Sequence, residues 1–442
     1  MPRDSRVPGG TAPPDGSRAA VEAAWRVEWP KLVAALTRLV GDIDLAEDVA
    51  QDALVAALQE WPRKGVPPRP GAWLMVAARH EALDRLRRDR VLAAKYALLG
   101  PQLADEASAA SDAVETDASI PDDRLRMIFT ACHPVLPPPA RVALTLRLVG
   151  GLTVEEIARA YVVPPSTIGQ RIVRAKRAIA REHIPYAVPE GPDLGRRLDS
   201  VLDVISLIFT EGYAASAGDR WLRRELVEEG LRLARVLARL MPDEPETHGL
   251  AALLELQASR VDARTTPDAP LVLLADQDRS TWDQLLIRRG FAELHQAHAL
   301  STRLGRQPGR FALQAAIAAE HALARSPGQT NWRRLAALYA VLADRFPSPV
   351  VQLNRAVALA MAEGPDAGLA LLEQVAATGD LDGYHLLHAV RGDLLARLGR
   401  PGEASAEFER AATLTANTAE QRLLRARAAR GDGQTERLGR RA

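Results

Sequence analysis

The chain is 442 residues long, 26% charged and 47% hydrophobic, with one cysteine and a formal net charge of +1. One cysteine excludes an internal disulfide framework and a multi-cysteine zinc site. The length leaves room for about three domains, and the apolar content excludes a collagen-like or wholly disordered chain. Aromatic residues are only 4% of the chain, whereas Ala, Leu and Arg dominate, which favours an all-helical protein over a β-sandwich or barrel. No run of about 18 apolar residues occurs and the first residues lack an apolar core, so neither a membrane span nor a signal peptide is expected. The expected location is the cytoplasm, with Cys132 reduced.

The near-zero net charge conceals strong local asymmetry. Glu22 to Glu60 carries eight acids against three bases, and Arg63 to Lys95 carries nine bases against three acids. Gly100 to Asp123 has acids and no Lys or Arg, and Pro164 to Arg181 has five bases and no acid. Alternation of this kind suits surfaces with different partners.

In chain order, residues 1–19 read as a disordered tail. A first helix is expected over about 21–40, ending at Gly41. A second opens on Asp42 or Asp44 as N-cap and runs to Trp61, where Pro62 and the Pro/Gly stretch to Gly71 break it. A third spans about 71–95, with Trp73, Leu74, Ala77, Leu83 and Leu86 on one side. These helices make up a domain over 20–96. Residues 97–122, rich in Ala, Ser and Asp, read as an acidic flexible linker. Helices resume over 123–184, and 185–193 is a second linker. The remainder, 194–442, is expected to be a helical array broken near Gly218, Pro242, Pro267 to Pro270, Pro308, Pro327, Pro347, Gly364, Gly379 and Gly399.

Repeats appear toward the end of that array. His385 to Ala416 places Gly392, Leu395, Ala404, Phe408 and Ala411 at the small and large packing positions of a tetratricopeptide-type hairpin. Pro349 to Ala376 is a looser copy, with Ala356, Leu359 and Leu372. Small residues let paired helices approach, and large ones fill the groove of the next hairpin. An ordinary helical bundle is the alternative reading.

The sharpest signal is Gly151 to Arg181. Thr153 followed by Glu156 forms a capping-box pattern at the start of a short helix with Ile157 and Ala158 inward. After a break, Pro165 to Arg181 forms a second, basic helix with Ile168, Ile172, Ala175 and Ile179 on its inner face. Two helices joined by a tight turn, the second basic, is the sequence form of a helix-turn-helix. In that motif the start of the second helix enters the major groove. Ser166, Thr167, Gln170, Arg171 and Arg174 are then the candidate base-edge and phosphate contacts, since Gln pairs with adenine and Arg with guanine. Arg177, Lys176 and Arg181 are expected to meet phosphates or lie in solvent. Gly169 interrupts the helix with a poor helix former.

Asp44, Glu47, Asp48, Gln51 and Asp52 form a mostly acidic patch on the second helix. Asp44, Asp48 and Asp52 recur every fourth residue and share a face, and like charges at that spacing favour a basic partner. The third helix and the loop before it are basic through Arg63, Lys64, Arg69, Arg79, Arg85, Arg87 and Arg88.

The stretch Asp42-Ile-Asp-Leu-Ala-Glu-Asp-Val-Ala-Gln-Asp-Ala-Leu, with Trp73-Leu and Asp84-Arg-Leu-Arg-Arg downstream, resembles region two of bacterial sigma factors, and the helix-turn-helix resembles their region four. Together, roughly 20–183 resembles an extracytoplasmic-function sigma factor. The extension resembles that of the subgroup bearing a tetratricopeptide-like domain, where Phe209-Thr-Glu-Gly-Tyr213 and Asp276-Gln-Asp-Arg-Ser280 are also familiar. The resemblance implies a promoter-specificity subunit of RNA polymerase and not an enzyme. It places the acidic patch (Asp44, Glu47, Asp48, Gln51, Asp52) on the clamp helices of the largest polymerase subunit, with the flap as a further contact. It places Ser166, Thr167, Gln170, Arg171, Arg174 and Arg177 on the −35 element. It places Arg63, Lys64, Arg69, Arg79, His80, Arg85, Arg87 and Arg88 on the −10 element as it opens. His80 stands where the family often has Asn, and Val76 where a base is frequent. The acidic linker would thread polymerase channels, and 194–442 would regulate activity in cis, docking on the sigma core or binding an unknown protein or ligand.

Other constellations point to no chemistry. Cys132 and His133 are adjacent and lack an orienting acid, and Asp276 with Asp278 lacks the glycine-rich loop and distal acid of a calcium site. No catalytic residue, cofactor or metal is expected. Glu211 to Tyr213 is expected to close a turn that packs the first C-terminal helices against the region that resembles region four. The alternatives are a DNA-binding transcriptional adaptor that recruits proteins through its repeats, and an enzyme housed in the C-terminal array.

Overall fold

Proline, glycine and short polar side chains punctuate this chain, and between them it is helical. A computed structural model describes residues 14–97, 120–161, 163–218, 221–265 and 271–439. The first residues of the expected tail and nearly all of the acidic linker over 97–122 lie outside the described residues. The chain divides into two compact units: residues 1–159 with 163–204, and 160–162 with 205–442.

In the first unit, α1 (Pro14–Val40), α2 (Ile43–Lys64) and α3 (Pro70–Ala97) pack on one another, and α4 (Ile120–Ala131) and α5 (Pro138–Leu148) join them. Asp42 caps α2, its carboxylate accepting from the Leu45 N–H at 2.8 Å. Pro62 does not end this helix as expected. Its ring removes one N–H from the ladder, and α2 continues to Lys64, where Gly65 (φ +83°) turns the chain and donates to the Trp61 carbonyl at 2.9 Å.

The buried face of α3 also differs from expectation. Leu74, Ala78 and Ala82 face the core, whereas Leu83 is 41% exposed. The alanines let α3 lie close against its neighbours, and their small apolar surface gives a weak periodic signal. Trp61 is buried and meets Trp73 edge-on at 5.7 Å, so this aromatic pair belongs to the core. Arg38 binds Asp123 at 3.1 Å, and Arg126 adds a second bond at 2.9 Å, tying α4 to α1. Burial lifts the Asp123 carboxyl above its usual range in spite of these two arginines.

α6 (Val154–Tyr161) and α7 (Pro165–Arg181) complete the helix-turn-helix. The capping box forms as expected: the Thr153 N–H donates to Glu156 at 2.9 Å, and the Glu156 N–H donates to the Thr153 hydroxyl at 3.1 Å. Tyr186 then ties the segment after α7 to the helices before it, its hydroxyl lying 2.8 Å from the Ala34 carbonyl and 2.9 Å from that of Asp123.

The second unit takes over within α8 (Pro192–Tyr213). It continues through α9 (Arg224–Leu240), α10 (Pro245–Ala258), α11 (Gln284–Arg303), α12 (Arg310–Leu323), α13 (Trp332–Arg345), α14 (Pro349–Glu363), α15 (Pro365–Ala376), α16 (His385–Arg397), α17 (Pro401–Leu414) and α18 (Thr418–Gly439). From α12 onward each helix packs on the next; the expected Pro and Gly breaks fall between α-helices, except that at Pro267 to Pro270, which lies outside the described residues. Leu395, Ala404, Phe408 and Ala411 form one core between α16, α17 and α18. Gly392 sits where an added Cβ would lie 2.9 Å from the Phe408 ring, so the aromatic occupies the space that glycine leaves. The looser copy buries Ala356 and Leu372, while Leu359 is only half-buried. Among the described residues the extended structure is one two-residue parallel bridge, β1 (Ala217–Gly218) with β2 (Ala416–Asn417).

Candidate nucleic-acid interface

The recognition surface begins with the four residues that α7 buries. Ile168, Ile172, Ala175 and Ile179 fill the inner face. Helical geometry therefore turns Ser166, Gln170, Arg174 and Arg177 outward, and all four are exposed. Thr167 and Arg171 flank this stripe and are half-buried. An exposed row of hydroxyl, amide and guanidinium groups with no carboxylate on the helix suits both base edges and phosphates. A Cβ added at Gly169 would meet nothing within 4 Å, so no packing constraint requires glycine there.

Two further surfaces lie on α2 and α3. Asp44, Asp48, Gln51 and Asp52 are exposed along α2. The same side of the helix continues with Val55 and Leu58, 50% and 42% exposed, which the charge pattern alone did not single out. Arg63, Lys64 and Arg69 are exposed around the α2–α3 turn, and Lys64 pairs with Glu60 at 2.7 Å. On α3, Val76, His80, Leu83 and Arg87 share the outward face, and Arg79 is half-buried. Arg87 lies 3.6 Å from Asp84, and Arg88 lies 3.2 Å from Glu81. Arg85 is turned away from that face: it pairs with Asp52 of α2 and lies 3.3 Å from Glu81. Two residues assigned to different surfaces, Arg85 and Asp52, thus hold α3 and α2 together.

Glu47 is placed apart from its acidic neighbours. Its side chain is 7% exposed and accepts from Arg147 Nε of α5 at 2.9 Å. It also pairs with Lys176 of α7, whose Nζ lies 2.6 Å from Asp44. Lys176, expected in solvent or on phosphate, is therefore committed to α2. Burial alone would lower the Lys176 pKa, but the Glu47 charge and the hydrogen bonds to Asp44 and Glu47 outweigh it and raise it. Arg147 also lies over the Trp29 ring at 4.8 Å, and the Trp29 indole N–H donates to the Arg147 carbonyl at 3.1 Å. The sequence signal for this cluster is weak: Arg147 is one of two arginines, with Arg141, in the largely apolar α5, a residue type seldom buried without a partner.

Cys132 is buried, bonded to the Thr145 hydroxyl at 3.3 Å, and burial pushes its thiol up to about 12, which leaves it without thiolate character. Among the described residues no cluster of His, Cys, Asp and Glu could hold a metal ion. No helix among them is long and apolar enough to cross a membrane.

A helix-turn-helix with an exposed basic reading face, joined in one unit to an acid-faced three-helix domain, defines a sigma-type DNA-binding core. Family models agree with this geometry: sigma-70 region 2 matches residues 28–91 and sigma-70 region 4 matches residues 126–179. A family of unknown function (DUF6596) matches residues 197–298. An uncharacterized protein of Rhizobium meliloti is 42% identical over 397 residues, covering 90% of this chain and 92% of its own length. The probable ECF RNA polymerase sigma factor SigI of Mycobacterium tuberculosis is 31% identical over 38% of this chain and 57% of its own length. The ECF RNA polymerase sigma factor SigW of Bacillus subtilis is 24% identical over 33% of this chain and 79% of its own. The chain belongs to the extracytoplasmic-function group of the sigma-70 family and carries a C-terminal helical extension.

Proposed function

We propose that this sigma factor binds core RNA polymerase through the outward face of α2, with Asp44, Asp48, Gln51 and Asp52 meeting basic groups of the clamp helices and Val55 with Leu58 extending the contact. The α7 stripe reads the −35 element, Gln170 and Arg174 at base edges and Ser166, Thr167, Arg171 and Arg177 around them. Arg63, Lys64, Arg69, Arg79, His80, Arg87 and Arg88 hold the −10 strand as it opens, where a positive groove tracks the released single strand. Arg85 supports that surface through Asp52. The domains act as proposed over 20–96, 123–184 and 194–442, the last regulating activity in cis.

The observation that carries this reading is the α7 stripe, exposed, cationic and free of acids, opposite four buried apolar residues. The Glu47 cluster supports a resting arrangement in which α7 covers part of the α2 acidic face, so that engaging polymerase requires Lys176 to leave Asp44 and Glu47. Multi-round transcription with core polymerase on a genomic promoter library tests the reading, comparing the full chain with residues 1–190. Promoter-specific transcripts from the full chain support it. Duplex binding without any such transcript from either form would instead make the protein a DNA-binding adaptor. Transcripts from the truncation alone would mark the extension as an inhibitor.

A further inference from the structure

The C-terminal unit contains a cavity of about 440 Å³ bordered by α8, α10, α12, α13 and α14. That volume falls within the span of roughly 300–1,000 Å³ common for small-molecule sites. Its walls are apolar through Leu253, Ile317, Leu342 and Val350. Its polar groups include the Gln257, Gln314 and Asn354 amides, the His321 ring and the Arg260 guanidinium, beside the hydroxyl residues Ser206, Thr210, Tyr339 and Ser348. No Asp or Glu lines it.

Arg260 is the unusual group. Its guanidinium lies 5.6 Å from the Tyr213 ring and 5.9 Å from that of Trp282, and its Nε is buried without a hydrogen-bond partner. Among the described residues, none brings a carboxylate within ion-pair distance of it. The neighbouring Arg264 and Arg279 also leave an Nε without a partner, but their terminal nitrogens are held by the fold. Arg279 donates to the His321 and Ala324 carbonyls at 2.9 and 3.0 Å and to the Thr330 hydroxyl at 3.0 Å. Arg264 donates to the Tyr213 carbonyl at 3.1 Å. His321 Nδ1 is likewise buried with no partner. A half-buried cation without a counter-charge is costly unless something supplies the charge, and two orphaned nitrogens among the residues of one cavity say where.

We propose that this cavity binds a small monocarboxylate with an apolar body, its carboxylate on Arg260 and its hydrocarbon portion against Leu253, Ile317 and Leu342. A planar guanidinium matches a carboxylate through paired N–H donors. A phosphate, near its dianion at neutral pH, would leave net negative charge in a cavity with one cation. The site goes beyond the sigma-factor reading and its test does not depend on it.

Calorimetric titration and thermal denaturation of the full chain at pH 7.5 test the proposal, with benzoate and hexanoate as probes and benzyl alcohol and inorganic phosphate as controls. The expected result is saturable binding of at least one carboxylate, one per chain, with a raised denaturation midpoint. Arg260→Met should weaken it at least tenfold. Asn354→Phe is the second variant: Asn354 is exposed on α14, so the core is undisturbed while the new ring occupies the cavity, and binding should fall comparably. The proposal is overturned if neither carboxylate binds saturably, if both variants bind like the parent, or if benzyl alcohol or phosphate binds as tightly as the carboxylates.

Discussion

Arg147 and Glu47, 100 residues apart, meet at 2.9 Å with their side chains 15% and 7% exposed. Lys176 completes the cluster, so one buried carboxylate answers two cations brought from α5 and α7. Removing one partner of a buried ion pair costs about 3–5 kcal/mol, because the remaining charge stays in low dielectric. Glu47→Gln, which strands Arg147 and leaves Lys176 only Asp44, is expected to lower the urea midpoint strongly. Lys176→Met leaves the Arg147–Glu47 pair intact and should cost less. It should also strengthen binding to core polymerase in the absence of DNA, since α7 is then released from the α2 face. Equal denaturation curves for Glu47→Gln and the parent would show that the cluster is not held in solution.

On α7, exposed base-reading and phosphate-meeting residues should separate by their salt dependence. Gln170→Ala and Arg174→Ala are expected to cost about 1–3 kcal/mol on the cognate −35 duplex and to relax specificity at one base pair each. Arg177→Ala should weaken binding to all duplexes alike and reduce the salt slope by about one. Fluorescence anisotropy across a salt series, with cognate and scrambled duplexes, reads both quantities. Uniform weakening by Arg174→Ala would remove it from base recognition.

Gly169 stands on an open part of α7, with nothing to meet a new side chain. Gly169→Ala is expected to stabilise the fold by about 1 kcal/mol through helix propensity alone, as read by urea denaturation. If the same variant lowers duplex affinity, the missing side chain admits DNA backbone; unchanged affinity would mark the position as solvent.

The parts of this molecule that were legible in its sequence are those governed by local chemistry. Thr153 and Glu156 form their capping box because the reciprocal bonds span three residues, and α7 buries the predicted isoleucines because one helical period decides the face. The breaks of the C-terminal array follow from proline and glycine. What was not legible depends on distant partners. Nothing near Glu47 in the chain distinguishes it from Asp48; only Arg147 and Lys176, folded over it, draw it inside. Arg85 similarly reads as one more base of α3 until Asp52 is placed beside it. On α3, Leu83 reads as core by its size, but Ala78 and Ala82 allow the closer approach and take the inner face. The Arg260 cavity gathers side chains from helices scattered over more than a hundred residues and has no sequence signature at all.

Acid should loosen the C-terminal unit through His321. Burial, with Arg260 and Arg279 nearby, pushes this imidazole down to about 3, against about 6.5 in an unfolded chain. Between those values the unfolded chain binds a proton that the native state refuses, so stability falls as pH drops below about 6.5, by up to about 1.4 kcal/mol per pH unit. His248 works in the opposite sense: its bond to Glu293 raises its pKa, so its contribution is full below about 6.5 and fades as pH rises through its folded value. Urea midpoints of His321→Gln and the parent at pH 5.5, 6.5 and 7.5 isolate the first effect. The parent should lose stability on acidification more steeply than the variant, and parallel slopes would rule His321 out.

The bridge between Ala217–Gly218 and Ala416–Asn417 pairs the beginning of the C-terminal unit with its end. The Asn417 amide donates to the Ala215 carbonyl at 3.0 Å, reinforcing the bridge. A stack of hairpins that touch only their neighbours can gain or lose units at either end; this one carries a clasp. During synthesis the strand at 217 must wait for nearly two hundred further residues before its partner leaves the ribosome, so the clasp shuts only on a chain translated past Asn417. The fold thereby distinguishes a chain that contains Ala416 and Asn417 from one stopped before them.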